Sequence, residues 1–178
     1  MTEFVSLYGG ALRTVLPSGF IDASSLREVP DTQEVFVNAR KDGNQYGDGL
    51  GIDESITVDL LERVDASNDA QALKIHVEEI FELNGSQQCK IGPIEVVDGS
   101  QTCIAYDPQI VLCVGLIRLA QHGTDVVLTV NVPGREAPVR LQQSQGYKEL
   151  PQNVNSAYKL LKNMIRHFQV LDTSLFVQ

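Results

Sequence analysis

Tryptophan is absent from this 178-residue chain, and aromatic side chains make up 6% of it. That leaves a paired-carboxylate glycosidase without the aromatic platforms that hold a sugar ring, although Asp31 and Glu34 have a spacing such chemistry could use. Histidines are three, His76, His122 and His167, with no HExxH and no GxSxG elbow beside them, so no hydrolase motif is present. The three cysteines, Cys89, Cys103 and Cys113, make neither an even framework nor a CxxC pair. Free thiols in a reducing compartment are the expectation. GxGxxG and GxxxxGK[ST] are missing, which excludes the usual glycine-rich phosphate loops. The aspartates Asp42, Asp48 and Asp53 lack the spacing of a calcium loop. No apolar run reaches membrane-spanning length; the longest, Ile110 to Ala120, contains Arg118. Neither a signal peptide nor a transit peptide is evident in MTEFVSLYGG. The expectations are a cytosolic or nuclear protein with no cofactor, no metal and no membrane or nucleic-acid partner.

What the chain has is acid, unevenly spread. Net charge is −9. Between Asp22 and Glu82 stand 15 acidic and 5 basic residues, whereas from Arg135 onward there are 3 acidic and 6 basic. Nucleic-acid phosphates need the opposite charge. A partner with a basic patch would be drawn to the acidic half over a distance, although acidity also serves solubility alone.

Apolar periodicity predicts α+β architecture in one domain over 1–178: an antiparallel sheet flanked by helices on its faces. Strands are expected at Phe4 to Tyr8, Ala11 to Leu16, Gln33 to Asn38 and Glu54 to Val64, the last with one wet face marked by Thr57 and Asp59. Asp98-Gly99-Ser100 predicts a hairpin turn between Cys89 to Val97 and Gln101 to Tyr106. IVLCVGLIRL, Ile110 to Leu119, is apolar on both alternating sets and reads as a central strand covered on both faces, with Asp125 to Val132 its antiparallel neighbour. Helices are expected from Asn68 to about Leu83 and from Pro151 to Val170. Arg40 to Asp53, with four glycines, reads as a mobile loop and Pro133 to Gly146 as a second long loop. Val170 to Val177 reads as a short strand or tail. His76 and Glu79 share a helical face, most simply as a surface ion pair or a partly buried histidine.

The segment most in need of explanation is Pro17 to Val37, PSGFIDASSLREVPDTQEVFV. Asp22 or Ser25 can cap a short helical turn, and Ser25 with Glu28 has capping-box spacing. Pro30 stops that turn, after which a strand begins. An exposed acidic knuckle results, with Asp31 and Glu34 three residues apart beside a rigid proline and with Arg27 and Gln33 as neighbouring donors. Its alternative is purely structural: an Asx turn at Asp31 and a Glu34–Arg27 ion pair.

Several runs carry a resemblance: LYGGA (Leu7 to Ala11), LPSGFIDASSLREVPDTQEVFV (Leu16 to Val37), ESITVDLLE (Glu54 to Glu62), HVEEI (His76 to Ile80), LIRL (Leu116 to Leu119), TDVVLTVNVP (Thr124 to Pro133) and DTSLF (Asp172 to Phe176). They resemble the Mog family of Ran-binding nuclear import factors, also called Ran guanine nucleotide release factors, and most of all its fungal members. The resemblance implies an antiparallel sheet between helices, similar to the PsbP proteins of photosystem II. It implies a non-catalytic protein that binds the small GTPase Ran, promotes release of its nucleotide and supports nuclear import, and that is found in nucleus and cytoplasm. The family's acidic PDxQE residues, which affect Ran binding, fall on Asp31 and Glu34. Asp22, Arg27 and Gln33 lie in the same block and are carried as further partner-binding residues. A PsbP-like accessory or small-ligand domain is the alternative use of such a fold. A monomer is the default state.

Overall fold

The computed structural model describes residues 2–42, 45–86, 88–143 and 149–176. Every strand pairing in it is antiparallel, in two sheets. The smaller sheet joins β1 (Thr2–Leu7), β2 (Leu12–Pro17) and a two-residue β11 (Gln169–Val170) in the order β1-β2-β11. The larger runs β3-β4-β5-β10-β9-β8-β6, from β3 (Phe20–Asp22), β4 (Gln33–Asn38), β5 (Ser55–Glu62), β6 (Lys90–Ile91), β8 (Ser100–Tyr106), β9 (Ile110–Leu119) and β10 (Thr124–Pro133). β7 (Glu95–Val97) also pairs with β8, and the predicted hairpin turn is present, with Asp98 and Gly99 both at positive φ. Two such residues match the right-handed twist of the flanking strands.

The apolar run of β9 does lie inside the sheet, between β10 and β8. One of its faces (Val111, Cys113) packs with α3 (Gln152–Arg166) and the small sheet, through Leu12, Val15, Leu161, Met164 and Ile165. The other face (Leu112, Val114, Leu116) packs under α1 (Asp69–Leu83) through Leu73, Val77 and Phe81. Asn68 caps α1 by accepting a hydrogen bond from the Gln71 amide, one of the amides a helix start leaves unpaired. α3 lies close to the sheet at Gly115, where an added Cβ would stand 2.6 Å from Ile165 Cδ1 and 3.4 Å from Leu161 Cδ1. Gly115→Val is therefore expected to cost about 1–3 kcal/mol through overpacking, read from a denaturant midpoint.

Two loop expectations need correction. Pro133 to Gly146 contains a third helix, α2 (Glu136–Gln143); its last residues, 144–146, lie outside the described part. Pro138 falls in the first helical turn, where a missing N–H breaks no bond, and Ala137, Pro138 and Leu141 bury one side. An exposed Glu136–Arg140 pair spans one turn. Arg40 to Asp53, apart from residues 43–44, which are not described, is stapled rather than loosely held. Arg40 is buried, donates to both Asp48 oxygens and to the Ser18 carbonyl, and lies over the rings of Tyr46 and Phe20. The Arg40 hydrogen bonds hold the Asp48 carboxyl below its ordinary range. The C-terminal stretch forms β11 and a 3-10 turn, Thr173–Phe176; Val177 lies outside the described residues.

All three cysteines are free. Burial raises each thiol, Cys103 to about 12 and Cys113 further; Cys89, half-buried, is raised by burial and then by Glu78 and Asp107. Alkylation at about pH 8 should label Cys89 first and the other two only on unfolding, as peptide mapping will show.

Candidate functional site

The knuckle folds as a capped turn followed by a β-turn. Asp22 makes the cap: its Oδ1 accepts from the Ser24 amide at 2.8 Å at the head of a 3-10 turn, Ala23–Ser25. The Ser25 hydroxyl donates back to the Asp22 carbonyl, so the serine supports the turn and does not cap it. Beyond Pro30, the Gln33 amide donates to the Pro30 carbonyl at 2.9 Å. That closes a turn with Asp31 at its second position, where αR backbone is easily adopted.

The five residues singled out by sequence do different things here. Asp31 is exposed at the turn tip, and among the described residues no hydrogen-bond or ion-pair partner holds its carboxylate. Arg27 is exposed as well and makes no ion pair with Glu34. Glu34 is instead half-buried, its Oε1 accepting from the Tyr8 backbone amide at 2.6 Å. Gln33 and Glu34 are adjacent on β4, so their side chains leave opposite faces of the sheet. Gln33 hydrogen-bonds the Asp59 carboxyl across the β4–β5 pair. Asp22 is committed to its cap. The structure therefore does not present Asp31 and Glu34 as two equivalent free carboxylates.

Little in the residue pattern singles out Tyr8. It adopts positive φ, unusual for a bulky side chain, ahead of Gly9 and Gly10, which do so as well. Its hydroxyl lies 2.8 Å from the Thr32 carbonyl and 3.0 Å from that of Val58, while its amide holds Glu34. Burial, with Asp59 and Glu34 nearby, raises the phenol well above its ordinary range. The small sheet is thereby clamped to the back of the knuckle, which fixes the turn carrying Asp31.

On the opposite face of the large sheet a groove lies between α1 and the strands β4, β5 and β10, with a volume of about 930 Å³. α1 covers β8 and β9 and stops short of β4 and β5, so the wet face expected on β5 forms the groove floor. Thr57, Asp59 and Thr129 face α1 residues His76, Glu79 and Ile80. His76 is buried, not a surface partner of Glu79: its Nε2 lies 2.8 Å from Asp125 Oδ2. Asp125 also accepts from Arg118 Nε at 3.0 Å and from the Val64 amide at 3.2 Å. Burial pushes the Asp125 carboxyl up, but the hydrogen bonds from His76, Arg118 and Val64 outweigh it and hold the group below its ordinary range. Among the described residues no group of three or more His, Cys, Asp or Glu could hold a metal ion, and no helix is long and apolar enough to cross a membrane.

The family model described as "Ran-interacting Mog1 protein" matches residues 5–133, which include the whole knuckle, the Glu34–Tyr8 clamp and the groove floor. This chain belongs to the Mog1 family. Saccharomyces cerevisiae "Nuclear import protein MOG1" is 44% identical over 97% of this chain and 84% of its own length. The human "Ran guanine nucleotide release factor" is 30% identical over 74% of this chain and 76% of its own. The crystal structure of the S. cerevisiae Ran-binding protein Mog1p superposes with a TM-score of 0.91 at 45% identity, covering 99% of each chain. A solution structure of PsbP from Synechocystis matches with a TM-score of 0.52 at 13% identity over 96% of this chain and 92% of that one. That last likeness concerns the fold alone, and with it the α+β Mog/PsbP-like architecture holds.

Proposed function

We propose that this Mog1-family protein binds the small GTPase Ran through its acidic knuckle, promotes release of Ran's guanine nucleotide and so supports nuclear protein import. Its relatives' names supply the partner and the process. The observation that carries the site is Asp31: an ungripped carboxylate on a turn fixed from both sides. Arg27 stands exposed beside it, and Glu34, Gln33 and Asp22 complete the surface while holding its shape. The protein acts without chemistry of its own, as a regulator of the GTPase, and works in nucleus and cytoplasm.

The mechanism is one of linkage. A GTPase holds its nucleotide with a lysine, backbone donors and Mg²⁺. A carboxylate that engages basic Ran side chains lowers nucleotide affinity only if it binds the nucleotide-free form more tightly than the loaded one. Pull-downs with Ran loaded with GTP, loaded with GDP or stripped of nucleotide are expected to favour the stripped form. Equal capture of all three would refute the release mechanism. Because the acidic half steers the encounter, the association rate should fall steeply between about 0.05 M and about 0.5 M salt while dissociation changes little. Stopped-flow measurements will separate the two.

A further inference from the structure

Beside the knuckle, the groove contains polar groups that have no partner among the described residues. His76 Nδ1 and Thr129 Oγ1 are buried and have no hydrogen-bond partner among the described residues, in residues only 2% and 3% exposed. Both residues line the groove. Buried polar atoms are nearly always paired, so two orphans at one site point to a guest that pairs them.

The character of the guest follows from the donors and acceptors present. Asp125 is ionised and accepts from His76 Nε2, so in the neutral ring Nδ1 offers a lone pair. Thr129 offers a hydroxyl. Asp59 is a half-buried carboxyl whose acidity is weakened first by burial, and the Gln33 amide opposite it compensates only in part. Glu79 adds a second carboxylate at the rim. Among the lining residues the only other charged groups are Asp107 and, at the knuckle edge, Arg27. These acceptors line the same groove as the apolar side chains Val35, Ile80 and Val127. A cationic donor on an aliphatic stem suits both the acceptors and the apolar wall.

We propose that this groove receives a lysine or arginine side chain of the polypeptide bound at the knuckle, its charged head between Asp59, His76 and Thr129 and its stem along Val35 and Ile80. The inference rests on the knuckle being the partner surface. A partner's side chain is favoured over a free amine because the groove is open along its length and continuous with the knuckle: Arg27, Pro30, Thr32 and Gln33 form its near wall. Free small ligands are generally enclosed.

Asp59→Asn and Thr129→Val each remove one acceptor and leave the shape intact. Each is expected to weaken binding to nucleotide-free Ran about tenfold or more, the loss typical of a hydrogen bond to a charged group. Asp59→Asn should melt at the wild-type temperature or above it, since the free protein loses an unneutralised carboxyl. In NMR titrations of the free protein, Nα-acetylarginine amide should shift the Thr57, Asp59 and Thr129 amides, while the neutral isostere Nα-acetylcitrulline amide should not. Wild-type affinity in both groove variants, with binding abolished in Asp31→Lys, would overturn the groove assignment and leave the knuckle reading standing. The same result together with arginine-amide shifts would mean that the groove takes a free small cation, which also overturns it. Unchanged binding in Asp31→Lys would remove the knuckle reading, and this inference with it.

Discussion

Asp125→Ala should lower the unfolding free energy by about 3–5 kcal/mol, the cost of breaking a buried ion pair by removing one partner. Asp125 is fully buried and is the point where three elements meet. His76 reaches it from α1, Arg118 from β9 and the Val64 amide from the segment after β5. Arg118 also donates to the Val64 carbonyl and pairs with Asp69 at the head of α1. Removing the carboxylate leaves Arg118 only the exposed Asp69 as counter-ion, leaves His76 Nε2 without an acceptor and frees the Val64 amide at once. Asp125→Asn keeps one acceptor oxygen and should lose less. The same group sets an acid limit. Its folded carboxyl is held below the unfolded value, so its contribution is complete above about pH 4 and disappears as pH falls through the lower folded value. Urea titrations at neutral pH and below pH 4 should show the gap between wild type and Asp125→Asn narrowing with acid; a constant gap would refute the assignment.

The second large effect separates the two knuckle carboxylates. Asp31→Lys replaces an exposed, unpartnered group, so melting should stay within a degree or two, as is usual for surface substitutions of about 0.5 kcal/mol or less. Ran binding should fall about a hundredfold or more, because an attractive charge becomes a repulsive one at the contact. Glu34→Ala is expected to behave otherwise. It deprives the Tyr8 amide of its acceptor and should cost about 1.5–3 kcal/mol of stability, with binding lost partly through a loosened turn. Glu34→Gln retains an acceptor for Tyr8 and isolates the charge. If Glu34→Gln binds Ran as wild type does while Glu34→Ala does not, Glu34 positions the turn and Asp31 makes the contact. Equal loss in both, with stability kept, would put the Glu34 charge itself in the interface.

The elements were most legible where one pattern had one physical meaning. The Val154–Ala157–Leu161–Met164 stripe could only be an amphipathic helix, and β9, apolar on both alternating sets, could only be covered twice. Asp98-Gly99 foretold its turn because few residues accept positive φ there. α2 was obscured by Pro138, which reads as a helix breaker until its place in the first turn is known. The division into two sheets was also hidden, because β2 takes β11 as its second partner from the far end of the chain.

The sequence by itself determined the α+β class, the main strands and two long helices, the acidic polarity of the first half and the family, because these depend on local periodicity and contiguous motifs. It also marked the knuckle as anchored, and Asp22 and Pro30 do build it locally. Only the tertiary structure decided what the anchored residues are for. Glu34 meets Tyr8 across 26 residues and His76 meets Asp125 across 49. No periodicity encodes such pairs: folding sets which face each side chain leaves, and packing sets which distant atom stands there. Neighbours in PDTQEV thereby became an exposed contact at Asp31, a clamp at Glu34 and, in Gln33, one wall of a groove.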